Sequence, residues 1–264
     1  MQRIALYLPG AFLASIAVFL VAPILVTVSV SFTSGAFLSF PPEGFSLRWY
    51  QMIIHDEKWR SSLQDTVIVG TICTIVSTTV GTLAAYGISR ISNKALRNVT
   101  LVLFLSPLVV PYVSYAMAIY PVFAGYRLIG THLGVALAQS TISIPWVVIT
   151  VISTMRRRDK VLESAARTLG ATPLQAFVYV VLPLLAPGIV AGAILSFMTS
   201  FDDVIMLIFL GGSRVATIPK TMLDSLSLTH DPSVMAASTI VSAIGLIAFL
   251  AASAVRSRRK VVAA

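Results

Sequence analysis

The chain has 264 residues, 57% of them hydrophobic and only 11% charged, against roughly 45–50% apolar and about 25% charged in an average soluble domain. Nineteen basic and ten acidic residues cannot cover a water-soluble body of this size, so membrane residence is the expectation, and a mean hydropathy of +0.90 argues against reading the net charge of +9 as a nucleic-acid-binding surface. At about 20 residues per crossing, six crossings consume about half the chain and leave no room for a soluble catalytic domain.

In chain order, the long apolar intervals trimmed by helix punctuation predict spans at about 5–31, 64–89, 99–123, 135–154, 188–210 and 233–255, each long enough for a hydrocarbon layer about 30 Å thick. The first begins after Arg3. Its apolar run from Ile4 to Val30 is longer than a signal-peptide core of about 7–15 residues, and no small-x-small site follows, so an uncleaved first helix is expected. Between the first two spans, Pro41-Pro42, Trp49-Tyr50 and His55-Asp56-Glu57-Lys58 predict a broken surface segment. Span two carries Thr66, Gly70, Thr74, Thr78 and Thr82 on one face; their hydroxyls are able to bond the carbonyls four residues earlier. Pro107, Pro111 and Pro121 predict kinks in span three. The lone Cys73 forms no intrachain disulfide, and His55, His132 and His230 are too dispersed to hold a metal. The segment 211–232 opens with Gly211-Gly212 and closes with Asp231-Pro232, an N-cap and N1 pair for the last helix.

Charge sets the orientation. With both termini in the cytoplasm, the inner segments hold Arg3, Arg90, Lys94, Arg97, Arg156, Arg157, Arg158, Lys160, Arg167, Arg256, Arg258, Arg259 and Lys260 against only Asp159 and Glu163. The other six basic residues share the outer loops and spans with eight acids. This is the positive-inside pattern. The basic tail at Arg256–Lys260 also reads as an anchor for anionic lipid head groups.

The longest inner segment, 155–187, invites a partner. Val161, Leu162, Ala165, Ala166 and Leu169 recur at one-face helical spacing, and Gly170 stands where a helix C′ glycine belongs. Thr172-Pro173-Leu174-Gln175 then reads as N-cap, N1 proline and capping-box glutamine. The product is two short helices joined by a tight glycine turn, with small residues at the elbow; it serves either as a plain link between spans or as a docking element.

Span five carries Gly188, Gly192, Ser196 and Ser200 at i+4 spacing. Such a stripe suits close helix packing and equally leaves room for a translocation path. Asp202 and Asp203 follow, inside an otherwise apolar interval, where a charge costs at least about 2.5–3.5 kcal/mol and usually faces a cavity or a partner. Adjacent helical residues point about 100° apart, so at most one acid aims squarely down a path, leaving the other to pair with Arg214 or to cap backbone.

The run Ser164-Ala165-Ala166, three residues, Gly170, nine residues, Val180, one residue, Leu182-Pro183 resembles the EAA loop of permease subunits of binding-protein-dependent ABC importers, whose pattern is Glu-Ala-Ala, three residues, Gly, nine residues, an aliphatic, any residue, Leu-Pro. The motif glutamate falls on Ser164, and this chain's acid, Glu163, stands one residue earlier. The resemblance implies an all-α, six-helix, type I (MetI-like) permease as a single domain over 1–264, multi-pass in a bacterial inner membrane. It implies a coupling loop built on Glu163, Ser164, Ala165, Ala166, Gly170, Val180 and Pro183. The implied partners are a cytoplasmic ATPase dimer, a second homologous permease and an extracytoplasmic solute-binding protein. The chain has no Gly-x-x-x-x-Gly-Lys-Ser/Thr phosphate loop, so it is expected to bind no cofactor, ATP residing on the partner chain.

Ser200-Phe201-Asp202-Asp203-Val204 followed by Thr217-Ile218-Pro219 is similar to the corresponding stretch of spermidine/putrescine-type permeases. That likeness implies an amine-type cargo, with Ser196, Ser200, Asp202 and Asp203 as path residues; opines, amino acids and phosphonates are the alternative cargoes. A membrane-embedded hydrolase needs a nucleophile and base inside the bundle, and no His or Lys falls in a predicted span. A standalone channel or secondary transporter leaves the elbow unexplained.

Overall fold

Apolar chain in hydrocarbon satisfies its backbone groups as helix or closed barrel. The computed structural model, which describes residues 2–155, 161–228 and 230–246, is all-α, with no strand among those residues. The helices are α1 (Gln2–Ser31), α2 (Arg48–His55), α3 (Glu57–Arg90), α4 (Lys94–Leu105), α5 (Tyr112–Gly125), α6 (His132–Met155), α7 (Val161–Thr168), α8 (Pro173–Ala176), α9 (Leu182–Asp202), α10 (Ile205–Leu210), α11 (Ile218–Leu228) and α12 (Ser233–Leu246). α3, α6 and the uninterrupted run Pro173–Asp202 are each long and apolar enough to cross a membrane. The predicted interval 5–31 lies on α1, while 233–255 is described only to Leu246. Arg156, Arg157, Arg158, Asp159, Lys160 and the tail Arg256, Arg258, Arg259 and Lys260 fall outside the described residues.

Two intervals differ from their sequence reading. The stretch 99–123 is not one continuous helix: a 3-10 turn at Ser106–Leu108 ends α4, and α5 leaves at 97° to it. Pro111 is the N-cap of α5, with extended backbone at ψ 131. A proline has no amide to donate and pushes the residue before it out of the helical region; with Pro107 in the turn as well, the chain turns a corner where a kink was expected. The interval 188–210 begins earlier and stops sooner. Helix runs from Pro173 through a π-helical turn at Phe177–Val181 into α9, ends at Asp202, and restarts as α10 beyond an extended Asp203 (φ −81, ψ 108).

Contacts divide the chain into two units, one formed by the chain up to Arg60 with the chain from Thr221 onward, the other by Ser61–Lys220. In the first, the segment after α1 is fixed by aromatic residues. Phe32 stacks on Phe45 at 5.0 Å between ring centroids, and the buried Trp49 donates from Nε1 to the Thr33 carbonyl at 3.1 Å. Asp231 accepts the Ser233 amide at 2.9 Å, the cap its Asp-Pro sequence predicted. In the second unit α6 is central and half of its residues are buried; its chief partner is α9. One core cluster joins Val69, Ala138, Met206 and Leu210, and another joins Ala85, Val147, Val151 and Leu185.

The small-residue stripe explains the α6–α9 contact. Gly188, Gly192, Ser196 and Ser200 are all buried. A Cβ on Gly192 would stand 2.7 Å from Thr150 Oγ1 and 3.0 Å from Val147 Cα, so only glycine allows the approach. On α3, Thr66 and Thr74 bond back to the Ser62 and Gly70 carbonyls at 2.6 and 2.7 Å, as their spacing predicted. Thr78 and Thr82 do not: their buried hydroxyl oxygens have no partner.

Candidate functional site

The elbow forms from purely local chemistry. Gly170 sits at φ +93, a region costly for any residue with a Cβ, and the Ala171 amide closes α7 by donating to the Ala166 carbonyl at 3.1 Å. Two residues on, the Thr172 hydroxyl accepts the Gln175 amide at 3.3 Å while Gln175 Oε1 accepts the Thr172 amide at 2.9 Å. This reciprocal box with Pro173 at N1 starts α8. Ser164, Ala165 and Gly170 are exposed, and Ala166 is half-buried. On either side of the glycine, Leu169 and Leu174 are 89% and 71% exposed. Val180 lies in the π-helical turn and Pro183 in the first turn of α9, so helix carries the chain from the elbow onward.

Glu163 faces inward, toward its own chain. Its carboxylate pairs with Arg90 at the end of α3 and accepts the Tyr86 hydroxyl at 3.2 Å. The Arg90 guanidinium lies over the Tyr86 ring at 4.4 Å from its centroid, and the other partner of that ring is Phe177, at 4.6 Å between centroids. The acid one position ahead of the motif therefore fastens α7 to α3, and Ser164 takes the exposed position.

The second candidate site is the helix break after α9. Asp203 caps α10 by accepting the Met206 amide at 3.1 Å and lies beside the Gln139 side chain of α6. Gln139 in turn accepts the Ser200 hydroxyl at 2.6 Å; it is fully buried, and its Nε2 has no hydrogen-bond partner. Asp202 is exposed. Its carboxylate adds to the partial negative charge that the unsatisfied carbonyls place at the C-terminus of α9, a position that favours cations. Among the described residues neither acid pairs with Arg214. Ser196 and Ser200 line no open surface of this chain. Ser196 lies 3.9 Å from the Cys73 sulfur, whose thiol reaches Ser143 Oγ at 3.6 Å.

Gln139 and Asp65 escaped the sequence reading. Asp65 accepts the Ala216 amide at 2.9 Å and lies 2.7 Å from His132 Nε2, while Thr66 accepts the Ile218 amide at 2.9 Å. Together they fix the loop after α10. The signal for Gln139 was available as the one uncharged amide in an apolar 24-residue helix. For Asp65 and His132, 67 positions apart in sequence, there was none.

The described residues are all-α, with three helices long and apolar enough to cross a membrane, the architecture of a polytopic membrane protein. The profile of the family described as binding-protein-dependent transport system inner membrane component matches residues 77–261, and the chain belongs to that family. It is 29% identical over 240 residues to the putrescine transport system permease protein PotI of Escherichia coli K12, covering 88% of this chain and 85% of that one. To the spermidine/putrescine transport system permease protein PotC of the same strain it is 27% identical over 247 residues, covering 92% of each. The fold matches a chain in the crystal structure of a bacterial ABC transporter involved in import of the acidic polysaccharide alginate, with a TM-score of 0.74 at 16% identity over 97% of this chain and 96% of that one. The chain is thus an ABC importer permease, a multi-pass inner-membrane protein and a transport subunit; it is not an enzyme. Permeases of this class work with an ATPase, a partner permease and a solute-binding protein.

Proposed function

We propose that this permease forms part of the path for a small polyamine-like amine and takes its drive from a separate ATPase through the elbow of α7 and α8. The observation that carries the cargo reading is the exposed Asp202 carboxylate at the C-terminus of α9, where a second acid, Asp203, is already engaged as a cap. A protonated amine offsets both the carboxylate and the helix-end carbonyls. The similarity to putrescine and spermidine permeases favours the same class of cargo. In the coupling role, Ser164, Ala165, Ala166 and Gly170 meet the ATPase with Leu169 and Leu174, Glu163 holds α7 to α3, and Val180 and Pro183 carry the motion into α9. Both termini then lie in the cytoplasm with the elbow, and the permease pairs with a second, homologous one.

The test is uptake in proteoliposomes holding the assembled importer and its loaded binding protein, with polyamines, amino acids, opines and phosphonates as cargoes. Asp202→Asn is expected to lower amine uptake at least about tenfold, corresponding to about 1.4 kcal/mol of lost interaction, with the complex still assembled. Unchanged amine uptake in Asp202→Asn, or wild-type stimulation by a non-amine cargo alone, overturns the reading.

A further inference from the structure

Close to the elbow, the end of α3, the first turn of α4, the end of α6 and α7 border an open cavity of about 420 Å³. Three guanidinium groups line it, those of Arg90, Arg97 and Arg167, against the single lining carboxylate of Glu163. Arg90 already holds that carboxylate. Arg97 and Arg167 have no carboxylate at ion-pair distance among the described residues, although Arg97 is half-buried. Positive charge drawn partly out of water without a counter-charge is costly, and an anion in the cavity offsets the cost.

Position and surroundings select the anion. The cavity lies where α3 ends at Arg90 and α6 at Met155, two helices long and apolar enough to span, and hence at head-group depth. Beside it α4 has no buried residue, and Leu96, Val99 and Leu103, at one-face spacing, are exposed. An inorganic phosphate or an acidic side chain from another protein would match the charge but leave this apolar face bare; a phospholipid matches both. Basic pockets between spanning helices are known receptors for acidic lipid head groups. We propose that the cavity binds the phosphodiester of an anionic phospholipid, with Arg97 and Arg167 on its phosphate oxygens and an acyl chain along α4. Arg167 belongs to α7 and Arg97 to α4, so the lipid would tie the elbow to the bilayer surface.

The experiment is lipid retention by the purified full-length chain, read by native mass spectrometry in competition between phosphatidylglycerol and phosphatidylcholine. Wild type is expected to prefer phosphatidylglycerol. Arg97→Gln/Arg167→Gln is expected to lose about thirty-fold of that preference, from about 1 kcal/mol per charge. Arg97→Lys/Arg167→Lys, which keeps the charge, is expected to retain most of it and controls for folding. Three results overturn the proposal: an unchanged preference in the glutamine variant, complete displacement of the lipid by inorganic phosphate, which marks a free-anion site, or unchanged lipid retention with loss of ATPase co-purification, which marks a protein-docking site.

Discussion

Replacing Gly188 by alanine decides whether the span-five stripe is a packing seam or the wall of a path. The added Cβ would stand 2.4 Å from Thr154 Oγ1, 2.9 Å from Thr154 Cβ and 2.9 Å from the Thr150 carbonyl oxygen. Non-bonded carbon atoms rest at about 3.5–4.0 Å, and the carbonyl belongs to the α6 backbone, so a rotamer change in Thr154 does not clear the clash. α6 and α9 must separate by roughly half an ångström or more, and overpacking of this kind costs about 1–3 kcal/mol. For a chain of this length that is a fall of roughly 2–12 °C in the unfolding midpoint. Thr154→Gly removes two of the three clashing atoms, so the double variant Gly188→Ala/Thr154→Gly should recover part of the loss, with a coupling of at least about 0.5 kcal/mol. The assay is thermal unfolding of the four proteins of the cycle in detergent, alongside transport. An unchanged midpoint with reduced uptake in Gly188→Ala would refute the packing argument and return the stripe to the path.

Gly170→Val should weaken co-purification with the ATPase and lower the unfolding midpoint by roughly 2–8 °C. A Cβ there meets nothing within 4 Å, so the penalty is the φ of +93 alone, about 1–2 kcal/mol borne by the elbow; hydrogen exchange at Ala171 and Thr172 should rise with it. Asp203→Ala should cost about 0.5–2 kcal/mol through loss of the cap on Met206, whereas Asp203→Asn, which keeps an acceptor, should cost a few tenths; equal destabilisation by the two would refute the capping role.

Sequence legibility tracked the range of the interactions. The capping box of Thr172 and Gln175, the Gly170 turn and the Asp231 cap lie within a few residues and were readable because each uses only its neighbours. Apolar length gave the helical class and the long helices. Hydropathy did not reveal the 97° corner at Ser106–Pro111 or the break at Asp203, because an apolar residue in a bend and one in a helix count alike. In the sites, small and acidic residues were visible as types, but their directions were set by distant partners. Arg90 turns Glu163 inward from 73 positions away, and Gln139 draws Ser200 into the α6 packing from 61.

The π-helical turn at Phe177–Val181 sets an angular phase as well as a length. The run Pro173–Asp202 is a 30-residue rod, about 45 Å at the α-helical rise, with the elbow at one end and the exposed acid at the other. The wider i→i+5 turn takes up one extra residue without passing on the roughly 100° of rotation that a residue carries in α-helix. Deleting a residue there would let the turn close as α-helix with the glycine–serine seam and Asp202 near their present azimuths, whereas deleting one within the α-helical part of α9 would turn all that follows by about 100° away from the face that α6 receives.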